Sequence, residues 1–225
     1  MRKLSLIMIA TIFVLGSCAP QTETNPFFVE WDTPFGAPPF DKIQDEHFLP
    51  AYEQAILQQQ AEIDAIVANP AEPDFENTIL AFDRSGALMR KVGPVFGGLR
   101  GANTNPRLQE IARETTPMLT AHSNSIRMNQ ELFERIRQVY DKRESLGLDP
   151  EQMRLVEKIY QDFERGGAAL PEEQREELKR LSERMSMVSL SLSENLLNEN
   201  NAFKLVLEDE ADLAGLPGWV VTMGA

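Results

Sequence analysis

Residues that commonly carry chemistry are scarce in this chain. A single cysteine stands among 225 residues, which excludes an internal disulfide framework and a cysteine-rich zinc site. There are two histidines, His47 and His122, so acid–base and metal chemistry have few groups to draw on. Positive charge is also short. Lys and Arg number 22 against 35 Asp and Glu, a formal charge of −13, and an acidic chain of this kind has no electrostatic footprint for a phosphate backbone. Nucleic acid is therefore not an expected partner. No apolar run reaches the ~20 residues that a membrane-spanning helix requires. No Gly-x-Ser-x-Gly elbow is present. Gly97-Gly98-Leu99-Arg100-Gly101 is glycine-rich, but it lacks the spacing and the following Lys-Ser or Lys-Thr of a phosphate loop. No repeat recurs at the period of a solenoid.

The composition is otherwise that of a globular protein, with 42% hydrophobic and 25% charged residues. Its length suits one domain or one and a half. The amino terminus reads as an address. Met1-Arg2-Lys3 is basic, Leu4 to Leu15 is mostly apolar, and Leu15-Gly16-Ser17-Cys18 follows. This pattern predicts a signal peptide over 1–17. Its last four residues resemble a bacterial lipobox, which makes Cys18 the expected lipid attachment site and the membrane a partner through that lipid. Ala19, in place of the Asp that marks inner-membrane retention in the enteric scheme, points to the outer membrane. An exported protein of the bacterial cell envelope is the resulting expectation.

Residues 18–40 are rich in proline and read as a tether and lead-in, since prolines so dense forbid a helix. Phe27, Phe28, Trp31, Phe35 and Phe40 are too many aromatic residues for a linker, and they are expected to dock on the body. From 41 to 217 the apolar period is helical, so the fold class is all-α. One helix is expected over His47 to Ala68. A second, capped by Asp74, should run through Phe75, Ile79, Phe82 and Met89 and kink or break at Gly93, Pro94, Gly97 and Gly98. Asn105-Pro106 and Asp149-Pro150-Glu151-Gln152 have the grammar of helix starts. Gly166-Gly167 should end a helix, and Pro171 should open the longest one. That last helix carries Leu178, Leu181, Met185, Val188 and Leu192 at alternating steps of three and four, too short a run for a coiled coil. Phe203 to Leu207 alternates loosely and reads as a lone strand.

A helical zinc site places two histidines at i and i+4 with a Glu beside the first. Glu46 precedes His47, but position 51 is Ala51, and His122 is followed by Ser123 and Asn124. Both histidines thus read as structural or surface residues. The early glutamates of the last helix, Glu172, Glu173, Glu176 and Glu177, complement its dipole.

A series of short stretches carries a family resemblance. They are Asn25-Pro26-Phe27, Pro39-Phe40-Asp41-Lys42-Ile43, His47-Phe48-Leu49-Pro50-Ala51 and Pro73-Asp74-Phe75-Glu76-Asn77-Thr78-Ile79. Asp83-Arg84-Ser85-Gly86, Ala102-Asn103-Thr104-Asn105, Phe163, Gly167-Ala168, Leu170 and Leu213-Ala214-Gly215-Leu216-Pro217 continue it. In this order the series resembles the amino-terminal region of the thimet-oligopeptidase-like zinc peptidases, in the peptidyl-dipeptidase branch. The resemblance implies a helical lobe of a two-lobed hydrolase with a deep channel. Such enzymes cut short, unstructured peptides, and their zinc sits on a His-Glu-x-x-His helix.

That motif occurs nowhere in this chain, so the resemblance carries over no catalytic residue and no metal ligand, and zinc is expected for the full-length family alone. Residues 218–225 form a tail that does not align with the family pattern. The expectation is a fragment of a lipid-anchored peptidyl-dipeptidase, inactive alone, with short peptides as substrates of the whole enzyme. A missing catalytic half docking in trans is a variant of it. The alternative is a stand-alone helical envelope lipoprotein that binds peptides or a partner without cutting them.

Overall fold

The computed structural model describes residues 24–207 and 209–224. The lead-in is folded onto the body at two of its five aromatic residues. Asn25 caps a single 3₁₀ turn, Pro26–Phe28, by accepting the Phe27 N–H at 3.0 Å. Successive side chains of such a turn diverge by about 120°. Phe27 therefore enters the core beside Phe48, their rings 5.3 Å apart, while Phe28 faces solvent. The Lys91 ammonium donates to the carbonyls of Phe27 and Val29 and lies 4.6 Å from the Trp31 ring, which holds Trp31 down. Phe35 and Phe40 remain exposed. The sequence expectation of five docked aromatics thus holds for Phe27 and Trp31 and fails for Phe28, Phe35 and Phe40.

Helix α1, Phe48–Val67, follows a 3₁₀ turn at Asp45–His47. Asp74 caps the next segment as its spacing predicts, in a capping box with Asn77. That segment is a π-helical stretch, Phe75–Leu80, leading into the short α2, Ala81–Arg84. The chain then turns at Ser85-Gly86, before the expected glycine cluster. Gly86 has φ +71°, and its N–H donates to Glu62 Oε2 on α1 at 2.7 Å. Ser85 Oγ donates a second hydrogen bond to the Phe82 carbonyl, and the Arg90 guanidinium donates to the carbonyls of Arg84 and Ser85 at the end of α2.

Helix α3, Ala87–Ala102, continues through Gly93, Pro94, Gly97 and Gly98. Of the expected kink or break, the break does not occur, since the helix runs on to Ala102. Pro94 and Arg90 are both exposed, so water can reach the carbonyl that the proline leaves unpaired.

The remaining starts and stops follow the sequence pattern. Asn105 caps α4, Pro106–Arg127, and Asn129 caps α5, Gln130–Lys142. Asp149 and Gln152 form a capping box on α6, Pro150–Arg165, which stops at Gly166. Gly167 takes φ +94°, which favours glycine, and a Cβ there would lie 2.6 Å from Leu178 Cδ2, whose methyl would have to shift. Pro171 precedes α7, Glu172–Ala202. At 31 residues this helix is ~46 Å long.

The apolar residues form two clusters that share α1 and α4. One gathers Phe27, Phe48, Tyr52, Val92, Phe96, Leu108 and Ile111, joined by Leu190 of α7. The other gathers Ile63, Ile79, Ile126, Leu132, Ile136, Val156 and Phe163. Phe163 stacks near Phe133 and meets Phe82 edge-on. Beyond α7, Phe203–Leu207 has no regular structure, and no strand occurs among the described residues. The sequence expectation of a strand at 203–207 fails because a strand needs a paired ladder, and no described segment lies alongside to supply one. A 3₁₀ turn, Glu210–Leu213, and helix α8, Gly218–Gly224, follow.

Candidate functional site

Cys18, the expected lipid attachment site, lies outside the described residues. The two histidines have structural duties. His47 Nδ1 accepts the Gln44 N–H at 2.9 Å, and the His47 carbonyl accepts from Asn25 Nδ2 at 2.8 Å. This residue therefore ties the lead-in to the start of α1. His122 is buried on α4, with Nε2 2.9 Å from Gln59 Oε1 on α1. Burial disfavours the imidazolium and pushes the His122 pKa below its ordinary value.

Gln59 and His122 lie along α1 and α4 between the stretches that feed the two clusters. They join Glu62 and the Gly86 N–H in a polar seam that fixes the two helices against the α2–α3 turn. A catalytic zinc needs three protein ligands. No group of three His, Cys, Asp or Glu among the described residues could hold a metal. Each histidine also has a ring nitrogen engaged within the fold. The described residues do not fit a zinc site.

The surface feature that sets this molecule apart is α7. Its inner side carries Ser186, Leu190, Glu194 and Leu197 and rests against the body. Leu190 is buried there, and Glu194 pairs with Arg113 of α4 at 3.0 Å. Around a helix of 3.6 residues per turn, Leu181, Met185, Val188, Leu192 and Leu196 fall within about 80° of one another. Leu190 lies roughly opposite that sector. All five are exposed, with Met185, Val188 and Leu192 at 68, 60 and 67%. The 3-4 spacing seen in the sequence is thus a genuine apolar stripe, but it faces away from both clusters.

Leu196 also lines a groove of about 410 Å³ between α7 and the end of α3, together with Gly97, Arg100, Gly101 and Leu197. Exposed apolar side chains continue past the helix at Phe203, Leu205, Val206, Leu216, Trp219 and Met223. By contrast, residues 41–170 expose one large apolar side chain, Leu57. A soluble domain seldom leaves so continuous an apolar surface bare, and such a surface marks a site of association. Sequence reasoning found the stripe and missed its direction.

The described residues therefore define an all-α lobe with a closed double core, a polar seam and one open apolar face. No family model matches the chain. It is 40% identical over 204 residues to a dipeptidyl carboxypeptidase of Escherichia coli strain K12, a match covering 91% of this chain and 30% of that protein. A dipeptidyl carboxypeptidase of Salmonella typhimurium is 41% identical over 202 residues, covering 90% of this chain and again 30% of the relative. Oligopeptidase A of Salmonella typhimurium is 27% identical over 194 residues, covering 86% and 28% respectively. The chain is a homologue of these dipeptidyl carboxypeptidases and oligopeptidases of the thimet-oligopeptidase family, and it spans about 30% of the length of the two dipeptidyl carboxypeptidases.

Proposed function

We propose that this chain is the helical amino-terminal part of a zinc-dependent peptidase that releases dipeptides from the carboxyl end of short peptides. The observation that carries the reading is the 40% identity to dipeptidyl carboxypeptidases over nearly the whole chain. The order of the family-like stretches from Asn25 to Pro217 agrees with it. In this reading the lobe supplies a wall of the substrate channel and positions the catalytic part. The groups that bind zinc and activate water belong to the remainder of the polypeptide, and the lobe alone is inactive. A signal peptide cleaved before Cys18, with a diacylglycerol on that residue, would hold the enzyme in the bacterial envelope.

The test is to sequence the gene through and beyond the segment encoding this chain and to assay the longer product. A frame encoding His-Glu-x-x-His is expected downstream. Its product should release carboxyl-terminal dipeptides from a blocked tetrapeptide, and a chelator should stop it. Absence of such a frame would overturn the peptidase reading. A mass spectrum of the mature amino terminus, expected to show a diacylglyceryl group on Cys18, tests the anchor separately.

A further inference from the structure

Resting on the peptidase reading, the geometry points to the outer face of α7 as the seat of the rest of the peptidase polypeptide. The interface is the stripe Leu181, Met185, Val188, Leu192 and Leu196, extended by Phe203 and Leu205. Three observations converge on that occupant. Exposed apolar side chains gather between Leu181 and Met223, and none of the described residues folds back over them. The inner side of α7 already has its partner in α4, through Leu190 and the Arg113–Glu194 pair, so the outer stripe is a second apolar side with a separate purpose. The relatives at 40% and 41% identity have about 70% of their length outside the match, more than enough polypeptide to cover the face.

The chemistry of the face describes what it takes. Five aliphatic side chains in a row over four helical turns present no fixed charge, so the partner surface is apolar and buries them by exclusion of water. At the Leu196 end, Gly97 and Gly101 line the groove, and no atom lies within 4 Å of where a Cβ would stand on either. The partner backbone can approach α3 closely there. Among the described residues, no backbone partner pairs with Lys204–Leu207. The amides and carbonyls of that extended segment are free to pair with the same polypeptide.

The experiment co-expresses this full chain with the part of the E. coli dipeptidyl carboxypeptidase that lies outside the match, and measures complex formation by affinity capture and light scattering. Met185→Glu with Val188→Glu places two charges in the middle of the face. Leu57→Glu, on the exposed side of α1, is the control. Circular dichroism of each variant reports whether its helices remain. A complex is expected with the unchanged chain and with Leu57→Glu, and the double variant should weaken it at least tenfold while remaining helical.

A complex indifferent to the two charges would place the interface elsewhere and overturn the inference while leaving the peptidase reading intact. A dimer of this chain that the two charges dissolve would make a second copy the occupant, which also overturns it. A folded chain that forms no complex with a folded partner, while the longer gene product still releases dipeptides, would overturn the inference alone; loss of dipeptide release as well would overturn the reading beneath it.

Discussion

Replacing Gly86 with alanine tests the turn that organises the lobe. Gly86 has φ +71°, where an L side chain costs about 1–2 kcal/mol. A Cβ there would stand 2.5 Å from Gln59 Nε2 and 2.7 Å from its Cδ. The amide end of Gln59 can swing aside, but it is held to His122 at 2.9 Å. Giving up that hydrogen bond costs about 1 kcal/mol. Gly86→Ala should therefore destabilise the lobe by roughly 2–3 kcal/mol, which for a chain of this size lowers Tm by roughly 4–12 °C.

Gly97→Ala is the matched comparison. Gly97 is exposed within α3, and no neighbour approaches its Cβ position. Alanine there should stabilise by about 0.5–1 kcal/mol through helix propensity. Thermal and urea unfolding followed by circular dichroism would measure both. If Gly86→Ala were neutral and Gly97→Ala destabilising, the chain would turn at the glycine cluster instead, and the placement of α2 and α3 would be wrong.

Two further outcomes follow from His122 and Lys91. Because burial lowers the His122 pKa in the folded state, the unfolded chain binds the proton more readily. The contribution of this imidazole to stability is complete above its ordinary value of 6.5 and declines as pH falls through and below it. Urea midpoints taken between pH 5 and 8 should show that slope, and His122→Gln should flatten it; an unchanged slope in the variant would refute the assignment. Lys91→Met removes the ammonium that holds the Phe27 and Val29 carbonyls and the Trp31 ring. A partly exposed charged hydrogen bond and cation–π contact of this kind suggest a cost of about 1–2 kcal/mol. In a Trp219→Phe background, which silences the exposed tryptophan, Trp31 emission should shift to the red and the lead-in should become a protease target. Unaltered emission would show that Trp31 is held by packing alone.

Most of the helical architecture was legible in local residue patterns. Asn105, Asp149 and Asp74 cap helices because their side chains reach a backbone N–H three residues on, a relation contained within one turn. Phe48, Ile63, Leu108, Leu132 and Phe163 enter the cores because helical periodicity gathers them on one side of their own segments. That the chain carries no His-Glu-x-x-His pattern was readable for the same reason, since that motif is local. The family resemblance, too, lay in short stretches whose order survives in the chain.

Long-range contacts decided the rest. The turn at Gly86 depends on Glu62 and Gln59, side chains on a different helix that no local rule connects to it. Phe27 docks and Phe28 does not because Phe48 waits on one side of their shared turn. The direction of α7 is the clearest case. Periodicity determines the angles among Met185, Val188 and Leu192 in any helix, but not which way the helix rolls. That roll was set by α4, which meets Leu190 and Glu194 on the opposite side and leaves the five-residue stripe facing outward.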